Sequence, residues 1–247
     1  MSLSPTRTVA LVIERDIRIL FSDSFLVGIM FANFAIDLFV TAATYGGLVR
    51  TGYFLQIAPG SNFITAAVAS FQSGRDVWRE KYIKDLASYL LTLPVPRRLF
   101  AASRIISGVV RSLVATLPGT LVIAYLYGIL FSPLLVVAFL IVGLFSLGIV
   151  GLSIAVSAFA SSIEMFATLR SLIQLYLSFL STIFFSVEIF PTFLRPIVLA
   201  NPMTWAIEAF RALRGPAPTL YPVSVLIGPS LVLAAIGMLC YLWYARL

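Results

Sequence analysis

Residues 73–104 read SGRDVWREKYIKDLASYLLTLPVPRRLFAASR, and they hold seven of the seventeen Lys and Arg residues of a 247-residue chain, both lysines among them. Long apolar runs lie on either side. A block this polar between such runs must sit in water, and its positive excess places it on the cytoplasmic side of a membrane. The composition agrees. Hydrophobic residues make up 60% and charged residues 11% of the chain, against roughly 45–50% and about 25% in soluble domains. A soluble body with those proportions would expose far too much apolar surface, so the chain reads as an integral membrane protein. Its net charge of +7 is then a positive-inside bias set against anionic lipid headgroups, not a footprint for nucleic acid. The chain has no histidine, which removes the commonest general base and metal ligand. Its one cysteine, Cys240, excludes an intrachain disulfide.

Working outward, residues 1–22 hold an amphipathic helix from about residue 6. At 100° per residue Arg7, Glu14, Arg15 and Arg18 gather on one side, and Val9, Val12, Ile13, Ile17 and Leu20 on the other, which suits a helix lying in the membrane interface. Asp16 falls within the apolar side, either reaching sideways to water or pairing with a base of the central loop. No short apolar core with a small-residue cleavage site marks a signal peptide. Six runs have the roughly 20-residue length of a membrane span, at 24–45, 57–74, 107–128, 134–158, 169–189 and 223–243. The second is the most polar, through Ser61, Asn62, Thr65, Ser70, Gln72 and Ser73, so it should face other helices. In the fourth, Ser153, Ser157 and Ser161 recur every fourth residue, a spacing for close backbone approach. With both termini cytoplasmic, the inside segments carry twelve Lys and Arg and the outside segments four, Arg50, Arg195, Arg211 and Arg214. Arg111, just inside the third run, is expected to snorkel to the cytoplasmic side.

Two stretches stand out between the runs. In the cytoplasmic region 75–104, Glu80–Lys84 and Lys81–Asp85 are i,i+4 pairs that support a solvated helix. Tyr82, Leu86, Tyr89, Leu90 and Leu93 line its other side, and Pro94 and Pro96 end it ahead of Arg97 and Arg98. Such a helix can dock in a groove of a partner protein, or it can be an ordinary interfacial helix. Between the fifth and sixth runs, residues 190–215 are apolar yet broken by Pro191, Pro196 and Pro202. Asn201 followed by Pro202 reads as an N-cap and first helical residue, with Glu208 and Arg211 three apart on the helix that follows. Two short helices dipping into the outer leaflet and packing over the spans fit this pattern.

The order of these features resembles the permease subunits of type-2 ABC (ATP-binding cassette) exporters. The matching residues are YFLQIAPG at Tyr53–Gly60, REKYIKDLASYLLTLPVPRRLFAASR at Arg79–Arg104, and IFPTFLRPIVLANPMTWAIEAFRALRG at Ile189–Gly215. The resemblance covers nearly the whole chain. It implies an all-α integral membrane fold of six transmembrane helices. An N-terminal interfacial elbow helix, a cytoplasmic coupling helix between spans two and three, and re-entrant external helices between spans five and six complete it. It also implies cytoplasmic ABC ATPase subunits as partners, with ATP and Mg bound on them, and a second copy of this chain or a related permease. By position, Glu80, Lys84, Leu86, Tyr89, Leu90, Arg97 and Arg98 would contact the ATPase. Pro191, Pro196, Asn201, Pro202, Glu208 and Arg211 would form the external gate. The family carries glycine and serine late in the fifth span, where this chain has FLSTIFFSVEIFP.

No G-x-x-x-x-G-K-[ST] run occurs, so the chain is expected to be a transport subunit of the cell membrane, with no catalytic residue, no metal and no cofactor of its own. Asp37, within the first run, is either a proton or cation site or a structural hydrogen bonder. Glu188 is either an interface carboxylate or a substrate ligand. Phe63, Phe71, Tyr176, Phe179, Phe184 and Phe185 either line an apolar substrate pathway or simply pack. Few charges along the runs favour an amphipathic or hydrophobic substrate, such as a drug, a lipid or a lipid-linked glycan. An ATP-independent channel or secondary carrier is the alternative, with Asp37 its one midplane charge.

Overall fold

The computed structural model describes residues 53–82, 96–214 and 219–244, together with positions 7, 10, 11, 14, 15, 17, 18, 28, 32, 35, 36 and 40, which are all helical. Asp16, Asp37, Lys84, Leu86, Tyr89, Leu90 and Pro94 lie outside the described residues. Among the described residues there are seven α-helices and no strand. They are α1 (Tyr53–Tyr82), α2 (Arg97–Leu126), α3 (Leu134–Phe159), α4 (Ile163–Phe179), α5 (Arg195–Ala200), α6 (Pro202–Ala212) and α7 (Tyr221–Tyr244), with a 3-10 turn at Val187–Ile189.

By length and composition α2, α3 and α7 can each cross a membrane. The third, fourth and sixth apolar runs thus lie on these three helices. Helix α3 matches its run almost residue for residue, and α2 starts ten residues before its run, at Arg97 rather than 107. The second run lies on α1, which is longer than 57–74 at both ends. Residues 75–82 and 97–104, read from sequence as parts of one cytoplasmic region, are continuations of α1 and α2. Both acids of the α1 extension are paired across to α2. Asp76 accepts from Arg111 (2.6 Å) and Glu80 pairs with Arg104.

The core sits between α1, α2, α3 and α6. Phe63 of α1 meets Phe145 of α3 edge-on at 5.2 Å and Phe210 of α6 at 5.9 Å. Phe63 and Phe71, two of the six aromatics considered for a pathway, are wholly buried in this core. A seam of small polar groups runs alongside, as expected where the hydrophobic effect does not drive helices together in lipid. Asn62 Nδ2 donates to Thr120 Oγ1 (3.0 Å), the Ser112 and Ser146 hydroxyls share a hydrogen bond (2.7 Å), and Ser153 Oγ donates to the Phe71 carbonyl (3.2 Å). Of the second run's polar side chains, Asn62 joins this seam and Thr65 bonds the Ser61 carbonyl within α1 (3.1 Å).

Helices α3 and α7 touch backbone to backbone. A Cβ added at Gly151 would lie inside contact distance of the Leu233 carbonyl and the Ala234 backbone, and one at Gly237 would strike Gly151. Ser153 and Ser157 are buried as the four-residue spacing suggests, but Ser161 lies beyond the end of α3 and is exposed.

Candidate functional site

Two clusters of directed side chains stand out, one at each end of the helix bundle. The first gathers α4, α5 and α6 where α1 begins and α2 ends. Helix α4 is capped at its start by Ser162, whose hydroxyl accepts from Met165 N (3.1 Å). Glu164, ahead of the apolar run that begins at 169, has its carboxyl held below the usual range by a backbone hydrogen bond and the Ser162 hydroxyl. The helix stops at Phe179, ten residues short of the 169–189 run. The cause lies at the junction of α5 and α6. Asn201 is fully buried, and its Nδ2 donates to the carbonyls of Tyr176 (3.1 Å), Leu177 (3.2 Å) and Leu180 (2.7 Å). Its Oδ1 accepts from Met203 N (2.9 Å). One amide therefore closes the carbonyl end of α4 and opens the amide end of α6, satisfying groups at two helix termini.

Pro202 has no N–H to offer the Val198 carbonyl four residues back. That oxygen instead accepts the Thr204 hydroxyl (2.7 Å), and the neighbouring Leu199 carbonyl accepts the Trp205 indole (2.7 Å). The Asn-Pro pair thus ends α5 and starts α6 without leaving orphaned carbonyls in an apolar setting. Two short helices occur in 190–215, as the three prolines suggest.

Arg211 completes this clasp. It pairs with Glu208 (2.8 Å) as the i,i+3 spacing suggests. It also donates to three backbone carbonyls: Gln56 on α1 (2.7 Å to Nη2), Thr182 (2.8 Å) and Ile183 (3.1 Å). The α1 acceptor sits at a proline break. Pro59 cannot serve the Leu55 carbonyl, which accepts the Tyr127 hydroxyl (2.8 Å) at the end of α2. At Gly60 an added Cβ would strike Ile183, so the YFLQIAPG stretch lets the 180–186 loop lie directly on α1. Arg195 folds the preceding turn back, donating to the Phe190 (3.0 Å) and Glu188 (2.8 Å) carbonyls.

Of the gate residues read from sequence, Asn201, Pro202, Glu208 and Arg211 therefore come together, while Pro191 and Pro196 are exposed. Tyr176 is tied to α5 through its hydroxyl and the Ile197 carbonyl (3.3 Å). Phe179 and Phe185 are exposed, with Phe184 against Phe179 at 6.3 Å. Of the six aromatics, Phe63 and Phe71 lie in the core with Tyr176 and Phe184 packed against it, while Phe179 and Phe185 face outward. The Glu188 side chain is exposed.

The second cluster lies at the basic end, where α1 finishes and α2 starts. Asp76 and Glu80, one turn apart on α1, face Arg111 and Arg104, two turns apart on α2. Arg15 joins Glu80 at 3.4 Å, and the Arg104 guanidinium also lies over the Phe100 ring (5.4 Å). The Trp78 indole ties α1 to the end of α3 through the Ala160 carbonyl (3.0 Å). Arg111 is thus a paired residue, not one that snorkels alone. An N-terminal link to the central segment does exist, but it runs from a base, Arg15, to an acid, Glu80, the reverse of the polarity considered for Asp16. Arg97 and Arg98 occupy the first turn of α2, not the connecting segment.

A family model described as ABC-2 type transporter matches residues 7–213. The chain belongs to the ABC-2 type transporter family. As an ABC-2 permease it is a transport subunit with a membrane domain, and the match takes in both clusters. No curated protein matches the chain.

Asp76, Arg104, Tyr127, Thr204 and Trp205 were given no role from sequence. The signal for the first two was present: Asp76 and Glu80 at i,i+4, and Arg104 and Arg111 at i,i+7, each align on one helix face. What hid it was the choice of helix ends, which put both pairs in or beside a solvated loop.

Proposed function

We propose that this ABC-2 permease moves an amphipathic or hydrophobic substrate out of the cytoplasm, as a dimer driven by two cytoplasmic ATPase subunits. The observation that carries this reading is the ion-paired root of α1 and α2 on either side of residues 83–95. Asp76–Arg111 and Glu80–Arg104 lock the two helices where that segment leaves and re-enters them. A force applied to Lys84, Leu86, Tyr89 and Leu90 by a closing ATPase would therefore move both helices and, through Arg15, the N-terminal helix. Glu80 acts in this scheme as a clamp within the chain, not as a contact for the ATPase.

At the opposite end, Asn201 and Arg211 would hold the external gate shut by tying α4, α6 and α1 together. The substrate class follows from α3 and α7, which carry no charged residue, and from α2, which carries none after Arg111. Such walls offer nothing to replace the hydration of a bare ion. The basic end then faces the cytoplasm of a plasma-membrane protein with both termini inside.

The test is purification with the cognate ATPase, followed by vanadate-sensitive transport in vesicles. Replacing Tyr89 and Leu90 by Asp should lose the ATPase while the permease still folds. Flux that persists without ATP and without the ATPase would sink this reading in favour of a carrier or channel.

A further inference from the structure

The first turn of α2 and the last turns of α7 enclose a groove of about 920 Å³ lined by Pro96, Arg97, Arg98, Ala235, Met238, Leu239, Leu242 and Trp243. Its two banks differ in kind. On α7, residues 235, 238, 239 and 242 recur at helical spacing and give a continuous apolar strip. On α2, two guanidinium groups stand at the rim, both residues exposed, and no lining residue is acidic. Trp243 stands near the end of the strip, 55% exposed and stacked at 6.3 Å on Phe159.

We propose that this groove binds one anionic diacyl phospholipid, with its headgroup phosphate on Arg97 and Arg98 and an acyl chain along the α7 strip. The charge complementarity is direct, because paired guanidiniums suit a phosphodiester. The positive end of α2, which has no side-chain cap at Pro96, adds to it. The lipid identity follows from the apolar bank. That bank belongs to a helix long and apolar enough to cross a membrane, so a water-borne protein cannot reach along it and a free phosphate would gain nothing from it. A tryptophan at the rim is the residue type that settles at headgroup level. The volume lies within the roughly 300–1,000 Å³ range of small-molecule sites. This site depends on the chain being a membrane permease and not on its energy source, so failure of the ATPase scheme would leave it standing.

The test uses the full chain in phosphatidylcholine nanodiscs doped with a phosphatidylglycerol probe that carries a photoreactive group on one acyl chain. Labelled peptides are then read by mass spectrometry. Label should fall within residues 235–243, and a phosphatidylcholine probe should label that stretch several-fold less. R97Q/R98Q should cut the phosphatidylglycerol label by about fivefold for each charge removed, and R97K/R98K should keep most of it. Leu239→Glu, at an exposed position of the strip, should give a similar loss with both arginines intact, which covers the case that the double variant does not fold. Equal labelling by the two probes would overturn the proposal. So would label that ignores R97Q/R98Q, label removed by excess inorganic phosphate, or label that appears only after residues 245–247 are deleted.

Discussion

Arg211 is the side chain whose removal should reveal how the α4–α6 clasp is held. Arg211→Ala takes away the donor for the Gln56, Thr182 and Ile183 carbonyls and leaves Glu208 without its cation. Hydrogen bonds to charged groups contribute about 1.5–3 kcal/mol each. Here three carbonyls share one Nη2, and Glu208 is 38% exposed, so its pairing is partly screened. Counting two full bonds gives about 3–6 kcal/mol, which overlaps the range of about 3–5 kcal/mol for removing one partner of a buried ion pair. At about 2–4 °C per kcal/mol for a chain of this size, the melting temperature should fall by about 10 °C. The assay is thermal unfolding of the purified permease in detergent, with hydrogen exchange of residues 53–60 and 180–186 followed separately. Arg211→Lys should recover part of the loss, since an ammonium keeps the charge but lacks the planar fork. Glu208→Gln should cost little. If Arg211→Ala melts within about 2 °C of the unaltered protein, or the exchange of those two stretches does not rise, the clasp is not what holds α1 to the 180–186 loop.

Other expectations follow from the same contacts. Asn201→Asp keeps the acceptor for Met203 N but turns the donors to Tyr176, Leu177 and Leu180 into a repelling oxygen. It should free the end of α4, seen as faster hydrogen exchange at 176–183, with α6 still protected. Asp76→Arg and Arg111→Asp should each lower stability by about 3–5 kcal/mol, and the double swap should recover most of it in a thermal melt, because the pair at 2.6 Å would be restored with reversed sign. Gly151→Leu should prevent α3 and α7 from meeting and abolish the folded fraction in size-exclusion chromatography, whereas the same change at Gly143, where an added Cβ meets nothing, should be tolerated. Glu164 has a lowered folded-state pKa, so its contribution is present above its ordinary value of 4.5 and is lost as pH falls through the folded value. The gap in melting temperature between the unaltered protein and Glu164→Gln should therefore close on acidification.

The sequence reading placed α3 and α7 almost to the residue because nothing competes with hydrophobic length there: no charge, no paired proline, no cap from a distant element. It read the Asn201–Pro202 start of α6 and the Glu208–Arg211 pair correctly because both are local chemistry within one or two turns. It misjudged the ends of α1, α2 and α4 for one shared reason. Each end is decided by a partner far along the chain. Arg104 and Arg111 pair with the two acids that α1 carries past Ser73, and Asn201 stops α4 at Phe179 although FLSTIFF is apolar enough to go on. Phe63 shows the same limit, since an aromatic on a span looks alike in sequence whatever it packs against, and its contacts with Phe145 and Phe210 come from far along the chain.

The glycine contact between α3 and α7 restricts how this permease can change shape. Two backbones that touch without intervening side chains cannot slide or roll against each other without collision, so these helices must travel as a single block through any cycle. Helix α4, which fully buries only Phe166 and Leu177 and is held at its far end by the Asn201 amide and the Tyr176 hydroxyl, is the less embedded element. A force that moves α1 and α2 would then meet α3 and α7 as one rigid body, while α4 is joined to the rest through the short stretch between Phe179 and the 3-10 turn at Val187–Ile189.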